Sequence, residues 1–399
     1  MNTRGLGAML DLELKAVREG LADVLVPAEE VRAPRKAPVF YNPRMALARD
    51  VAVLALRAYS RRLGREARAC EPLCGCGVRG IRFALEVPSV AEVIMGDLNP
   101  RAVELSELNI KRNGLEGKVS VSLSDANVLL TSYSAPGARF DYVDIDPFGS
   151  PMPFVDSAVR AIRGGGLLAL TATDMAPLCG VHVKACMRKY GAFPIRVRYA
   201  KEVAVRIMIG ALARVASAHE VGIRPLFSHA TDHYARAYCL LLKGQGKANA
   251  SISMLGYIAH CPSCREREVI KGLAVPIDEE CPSCGSRRLI SGPLWVGELF
   301  DEAFCSEVLK EAQGAPWIGR RARKLVELAL EEARSPPTYY SLPALCKVLK
   351  VSIPPVRDVV EALRERGWIA SRTHFDTQAV KTNAPVKELA HIVRELSLI

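Results

Sequence analysis

No run of eighteen or more apolar residues occurs in the 399-residue chain, which excludes an ordinary membrane-spanning helix. Residues 1–13 lack the charged-then-apolar layout of a secretion signal, so a cytoplasmic protein without membrane association is expected. Low-complexity tracts are missing, and no internal repeat is evident beyond two cysteine pairs, which sets aside disordered and solenoid architectures. Glutamine is scarce: three residues, against many Arg, Glu and Ala, a balance that hints at a heat-adapted source.

What is present suits a globular chain. Hydrophobic residues make up 49% and charged residues 24%, and the length suits two domains, or one large domain with an appended module. A formal net charge of +11 implies a surface that attracts polyanions, and nucleic acid is the leading partner. No obligate protein partner is evident. Of the twelve cysteines, four fall in a paired, metal-type pattern and the rest are scattered, as in a reducing compartment. Cys74 and Cys76 are left open as free thiols or a disulfide, since internal disulfides occur in heat-adapted organisms.

Up to about residue 243, strand and helix signals alternate. Strands are expected at 68–73, 92–97, 119–124, 142–145 and 167–173, and helices at 44–63, 78–85, 100–113, 153–162 and 182–190. That alternation predicts a doubly wound, Rossmann-like α/β domain with a parallel sheet. A long helix around 203–218 is followed by two apolar strands, 222–228 and 235–243, joined by the polar link 229–234. The closing hairpin resembles the ending of class I methyltransferases and is unusual for nicotinamide-binding domains. The polar, glycine-bearing segment 244–249 marks a boundary between a catalytic domain, 1–243, and a smaller C-terminal α+β domain, 244–399.

Within the first domain, Glu71 opens a loop in which Gly75, Gly77 and Gly80 are spaced G-x-G-x-x-G between a strand and a helix. Such glycines let the backbone turn tightly and approach a cofactor. Asp97, at the end of the next strand, is placed to accept both ribose hydroxyls. The loop alone fits a dinucleotide and S-adenosylmethionine equally, and a plain glycine turn with a capping Asp is the bland alternative. Asp125 and Ala126 follow the third strand, where an adenine amino group would lie, although a lone Asp there is more often a turn or helix cap.

The chemistry-bearing string is Asp144-Ile-Asp146-Pro147-Phe148-Gly149, after the fourth strand. It resembles the (Asp/Asn/Ser)-Pro-Pro-(Tyr/Phe) tetrad of amino-methyltransferases with the second proline missing. An exocyclic amine delocalises its lone pair into the ring, so its nitrogen must be made more nucleophilic as the methyl arrives. A carboxylate and a backbone carbonyl that hold its two hydrogens do this. Asp146 is therefore assigned as hydrogen-bond and proton acceptor, the Pro147 carbonyl as second acceptor, and Phe148 as a stacking face.

Together with the strings Val39 to Arg44, Glu71 to Gly80, Thr171 to Gly180 and Arg372 to Asp376, this motif resembles the tRNA (guanine-N2)-dimethyltransferases that act at guanine 26. The resemblance spans most of the chain. It implies that Phe40 and Phe148 sandwich a flipped guanine and that Asp146 is the acid-base residue. Arg49, Arg79, Asp97, Asp125 and Ala126 would line the S-adenosylmethionine site, and two methyl groups would be added to one nitrogen. A base extruded from folded tRNA needs such aromatic faces.

The second domain opens with Cys261-Pro-Ser-Cys264 and Cys281-Pro-Ser-Cys284, sixteen residues apart. This spacing predicts a zinc ribbon, structural because four thiolates leave no open ligand position, with two disulfides or a redox pair as alternatives. Segment 341–367 reads as two short helices joined by a turn, followed by apolar 368–370 and polar 371–374, a succession that resembles a winged helix. Basic and aromatic residues in 196–206 and 229–238 are candidates for phosphate contacts or solvated faces, and 320–324 is a further basic cluster. Two other readings compete at this point: a DNA-binding regulator whose α/β domain senses a ligand, and a nicotinamide-linked oxidoreductase.

Overall fold

The computed structural model describes residues 12–28 and 38–397; the first eleven residues, on which the absence of a secretion signal largely rests, lie outside them. The described chain opens with a hairpin of β1 (Leu14–Glu19) and β2 (Ala22–Pro27), which the sequence did not signal. Five strands and a closing pair follow as expected: β3 (Ala67–Glu71), β4 (Val90–Asp97), β5 (Val119–Leu123), β6 (Phe140–Ile145), β7 (Ile162–Ala172), β8 (Val221–Thr231) and β9 (Tyr234–Lys243). They form one seven-stranded sheet of order β5-β4-β3-β6-β7-β9-β8. The pairs β3–β4, β3–β6, β4–β5 and β6–β7 are parallel.

The order runs outward from β3 in one direction and returns through β6 in the other, so a crevice is expected outside the carboxyl ends of β3 and β6. Local chemistry places the helices around it. Asn99 accepts from the Arg101 N–H and Pro100 starts the helix Pro100–Arg112. Gly64, left-handed at φ 63°, ends the helix Ala46–Leu63.

The hairpin differs from expectation at its tip. The strands extend through His229, Ala230 and Thr231, leaving a two-residue turn at Asp232-His233 in which Asp232 is left-handed. The segment 244–249, read as a domain boundary, is mostly the helix Gln245–Ile252; its Ser251 hydroxyl accepts from the Ile223 N–H at 2.7 Å. Beyond it, β10 (Leu255–His260) lies between β11 (Arg267–Lys271) and β12 (Leu289–Trp295). A second small sheet joins β13 (Tyr340–Ser341), β15 (Ala379–Thr382) and β14 (Ala370–Arg372), with helices Leu342–Leu349, Val356–Glu365 and Val386–Leu396 covering a core that includes Leu363, Leu389 and Ile392.

Two compact units emerge: Met1–Leu170 with Tyr238–Leu242 and Ser306–Lys324, and Thr171–Ala237 with Lys243–Cys305 and Leu325–Ile399. The first is pinned by fully buried Arg82, whose guanidinium meets Glu19, Asp50 and Glu86 at 2.7–3.0 Å. The second has its own buried ionic knot. Lys381 Nζ lies 3.1 Å from Glu202 and 3.2 Å from Glu332, and Glu332 also pairs with His374. Burial opposes the Glu332 charge, yet His374 and Lys381 bring its carboxyl down to about 2. No described helix is long and apolar enough to cross a membrane.

Candidate active site and metal centre

At the end of β3 the chain turns on Gly75 (φ 55°) and Gly77 (φ 75°), conformations that L side chains adopt only with strain. A Cβ on Gly75 would also lie 2.9 Å from the Phe40 carbonyl oxygen. The turn delivers the Gly75 N–H to Asp97 Oδ2 at 2.8 Å, while Asp97 Oδ1 accepts from the Asn99 N–H at 2.9 Å. Asp97 is half-buried, and each carboxylate oxygen keeps a further lone pair for an incoming hydroxyl. Asp125 N-caps the helix Ala126–Ser132, accepting from Asn127 and Val128; Ala126 is buried, and the Ser124 N–H reaches the Asp97 carbonyl at 3.0 Å.

The carboxyl ends of β3 and β6 meet at Arg79, on the first turn of the helix Val78–Glu86. Its guanidinium donates to Asp144 Oδ1 at 2.7 Å and to Asp146 Oδ2, and lies 3.8 Å from Glu71 Oε1. Tyr142 OH donates to the other oxygen of Asp144 at 2.7 Å. One cation thus serves three carboxylates. Burial, with Asp144 and Asp146 adding to it against the pull of Arg79, pushes the Glu71 carboxyl up to about 8. The motif by itself assigns Asp144 no role. The alternation Asp-x-Asp on a strand was the usable signal, because residues i and i+2 share a face.

Arg49 makes a two-pronged ion pair with Glu19, both contacts 2.6 Å, and donates to the Asn42 carbonyl at 3.1 Å. Burial opposes the Glu19 charge, but Arg49 and Arg82 hold its carboxyl below the ordinary range. Glu19 and Tyr41, which the sequence reading passed over, therefore position this edge of the cleft. The cleft is lined by Phe40, Tyr41, Arg49, Glu71, Cys74, Cys76, Arg79 and Asp146. Cys74 and Cys76 are free thiols; burial pushes Cys76 up to about 12 and Cys74 well above its ordinary value.

Phe148 is 51% exposed, and its ring meets Phe40 edge-to-face, centroids 4.7 Å apart at 87°. A base held between two parallel rings needs roughly 7 Å between their centroids, so one ring must turn aside to admit it. Pro147 is buried beside them.

In the second unit, the thiols of Cys261, Cys264, Cys281 and Cys284 lie within 4.8 Å of one another. The pairs Cys261–Cys284 and Cys264–Cys281 have sulfurs 3.5 Å apart, far beyond a disulfide bond of about 2.05 Å. Tetrahedral zinc with bonds of about 2.3 Å separates its sulfurs by roughly 3.8 Å, which this cluster fits.

The basic segments divide sharply. Arg196 and Arg198 are exposed, but Arg206 is buried against Glu202 and the Trp295 and Gly297 carbonyls. His229 and Arg236 are fully buried, Arg236 donating to Thr171. Buried as they are, those three are shut off from phosphates.

The model of the N2,N2-dimethylguanosine tRNA methyltransferase family matches residues 20–394. Among curated relatives, the tRNA (guanine(26)-N(2))-dimethyltransferase of Methanosarcina barkeri is 41% identical over 394 residues, covering 96% of this chain and 99% of that protein. The enzyme of the same description from Methanosphaera stadtmanae is 37% identical over 386 residues, covering 96% and 98%. Among solved structures, Trm1 from Pyrococcus horikoshii in complex with S-adenosyl-L-methionine is 36% identical, with a TM-score of 0.84, over 95% of this chain and 100% of that one.

Proposed function

The chain belongs to the N2,N2-dimethylguanosine tRNA methyltransferase family, and from that membership we propose how its residues divide the work. It transfers methyl groups from S-adenosyl-L-methionine to the exocyclic N2 of guanine 26 in tRNA, giving N2-methyl- and then N2,N2-dimethylguanosine. The regulator and oxidoreductase readings fall away. A tRNA substrate agrees with action in the cytoplasm.

The donor, when bound, supplies an electrophilic methyl on a sulfonium centre. Asp97 would accept the ribose hydroxyls with the lone pairs its backbone contacts leave over, and Gly75 and Gly77 would let the main chain come close. Asp125 and Ala126 would face the adenine, and Glu71, Arg49 and Arg79 would bound the remainder of the pocket. On the acceptor side, Asp146 and the Pro147 carbonyl hold the two amine hydrogens. As the N–C bond forms and the S–C bond breaks, one proton passes to an Asp146 oxygen and leaves to solvent before the second transfer. Arg79 fixes the Asp146 carboxylate at the β6 end. Phe40 and Phe148 separate around the extruded base. Residues 1–243 carry the chemistry, and 244–399 the zinc ribbon and the segments that recognise RNA.

One observation carries this assignment: Asp97, the glycine turn and the Arg79–Asp146 pair converge on the carboxyl ends of neighbouring parallel strands. Its test is nucleoside mass spectrometry of an unmodified tRNA transcript treated with the protein and donor. Asp146→Ala is expected to lower turnover by about 10²–10⁴-fold while donor affinity by calorimetry stays within a few-fold. Unchanged turnover removes Asp146 from the mechanism.

A further inference from the structure

The two cysteine knuckles are built alike, except at one position. In the first, the Arg265 N–H closes the turn on the Cys261 carbonyl at 3.0 Å; in the second, the Gly285 N–H closes it on Cys281 at 2.8 Å. Both closing residues are left-handed, at φ 67° and 70°. Glycine adopts that conformation freely and a side chain only with strain, so metal binding alone favours glycine at both places. Strain kept at a residue that could be relieved by glycine points to a use for its side chain.

Arg265 lines a cleft with Arg198, Tyr199, His260, Arg267 and Tyr340. Arg267 is fixed there: its guanidinium lies 4.2 Å from the Tyr199 ring centroid and 3.9 Å from that of Tyr340, and Nη1 donates to Thr338 Oγ1 at 3.0 Å and the Tyr339 carbonyl at 2.6 Å. Burial pulls the Arg267 guanidinium below its ordinary value. The buried Nε atoms of Arg265 and Arg267, the hydroxyl of fully buried Tyr199 and Nδ1 of His260 have no hydrogen-bond partner among the described residues. None of Arg198, Arg265 and Arg267 forms an ion pair with a described carboxylate. Three guanidiniums and a phenol with unspent donors suit a compact anion that only accepts hydrogen bonds, and a phosphate oxygen cluster has that character.

We propose that this cleft beside the first cysteine knuckle is a subsite for a backbone phosphate of the RNA substrate. The inference rests on the tRNA reading above and deepens it. Exposed Arg198 gives the site a rim that a chain phosphate can reach, and the strained Arg265 supplies a donor that the knuckle itself does not need.

The experiment uses the full-length, zinc-loaded protein with Arg265→Gly and, separately, Arg198→Gln. Binding of a tRNA transcript is followed by filter retention across a salt series, alongside KM and kcat for methylation. Arg265→Gly relieves the backbone, so its melting temperature is expected to equal or exceed that of the wild type. Each variant is expected to weaken tRNA binding and raise KM by about ten-fold or more, to leave kcat at saturating tRNA within two-fold, and to flatten the logarithmic salt dependence by about one phosphate contact. Unchanged tRNA affinity and salt slope in both folded variants overturns the proposal. Should the wild type bind tRNA without methylating it, the enzymatic reading fails while the binding comparison still decides the subsite.

Discussion

Around Arg79 three carboxylates share one guanidinium, whereas around Tyr199 three guanidiniums form no ion pair with a described carboxylate. The two units thus gather charge of opposite sign, and a buried charge is costly without a partner. The balanced knots elsewhere, Arg82 with its three acids and Lys381 with Glu202 and Glu332, show that the fold can neutralise itself where it needs to. In the reading proposed above, a ligand brings opposite charge to each: a cationic sulfonium donor at the first site, a phosphate at the second.

The four-thiolate centre tests that rule at its extreme, since four deprotonated sulfurs need a metal. One zinc per chain is expected by mass spectrometry of the metal content. Cys281→Ser should lose it, with a large fall in soluble yield and melting temperature, because structural zinc contributes about 10–16 kcal/mol in small zinc domains. Full metal loss with an unchanged melting curve would break the comparison.

Next in size is the removal of the shared cation. Arg79→Ala leaves Glu71, Asp144 and Asp146 facing one another, and a destabilisation of about 3–5 kcal/mol is expected from denaturant titration. Arg79→Lys restores the charge without the two-pronged geometry and should recover part of the stability and little of the turnover. Equal stability of all three proteins would show that the carboxylates are compensated by something other than Arg79.

The smallest effect is a slope against pH. Glu71 is raised to about 8 from an ordinary 4.5, so the folded state keeps a proton that the unfolded state releases. Its contribution to stability is complete below about pH 4.5 and declines as pH rises towards 8. Melting temperatures between pH 5 and 9 should fall less steeply in Glu71→Gln than in the wild type. Parallel curves would place the proton elsewhere.

Much of this was legible in the chain. The alternation of strands and helices, the glycine turn, Asp97, Asp146 and the cysteine pairs follow local rules of period, spacing and ligand geometry, and those rules act within about twenty residues. What escaped has a common cause. The β1–β2 hairpin, Glu19 and Tyr41 act on Arg49 across a gap in sequence, and nothing near either partner announces the other. The basic stretch 196–206 looked uniform, but only packing separates exposed Arg198 from buried Arg206.

The sequence by itself therefore determined the fold class, the family and the chemistry on offer at each strand end, because these depend on residue type and spacing. Tertiary structure alone decided how charge is shared: that Arg79 answers to three acids, that Phe40 closes against Phe148, and that Arg265 and Arg267 keep donors in reserve. Charge balance is a sum over neighbours brought together by folding, and no local window of sequence contains that sum.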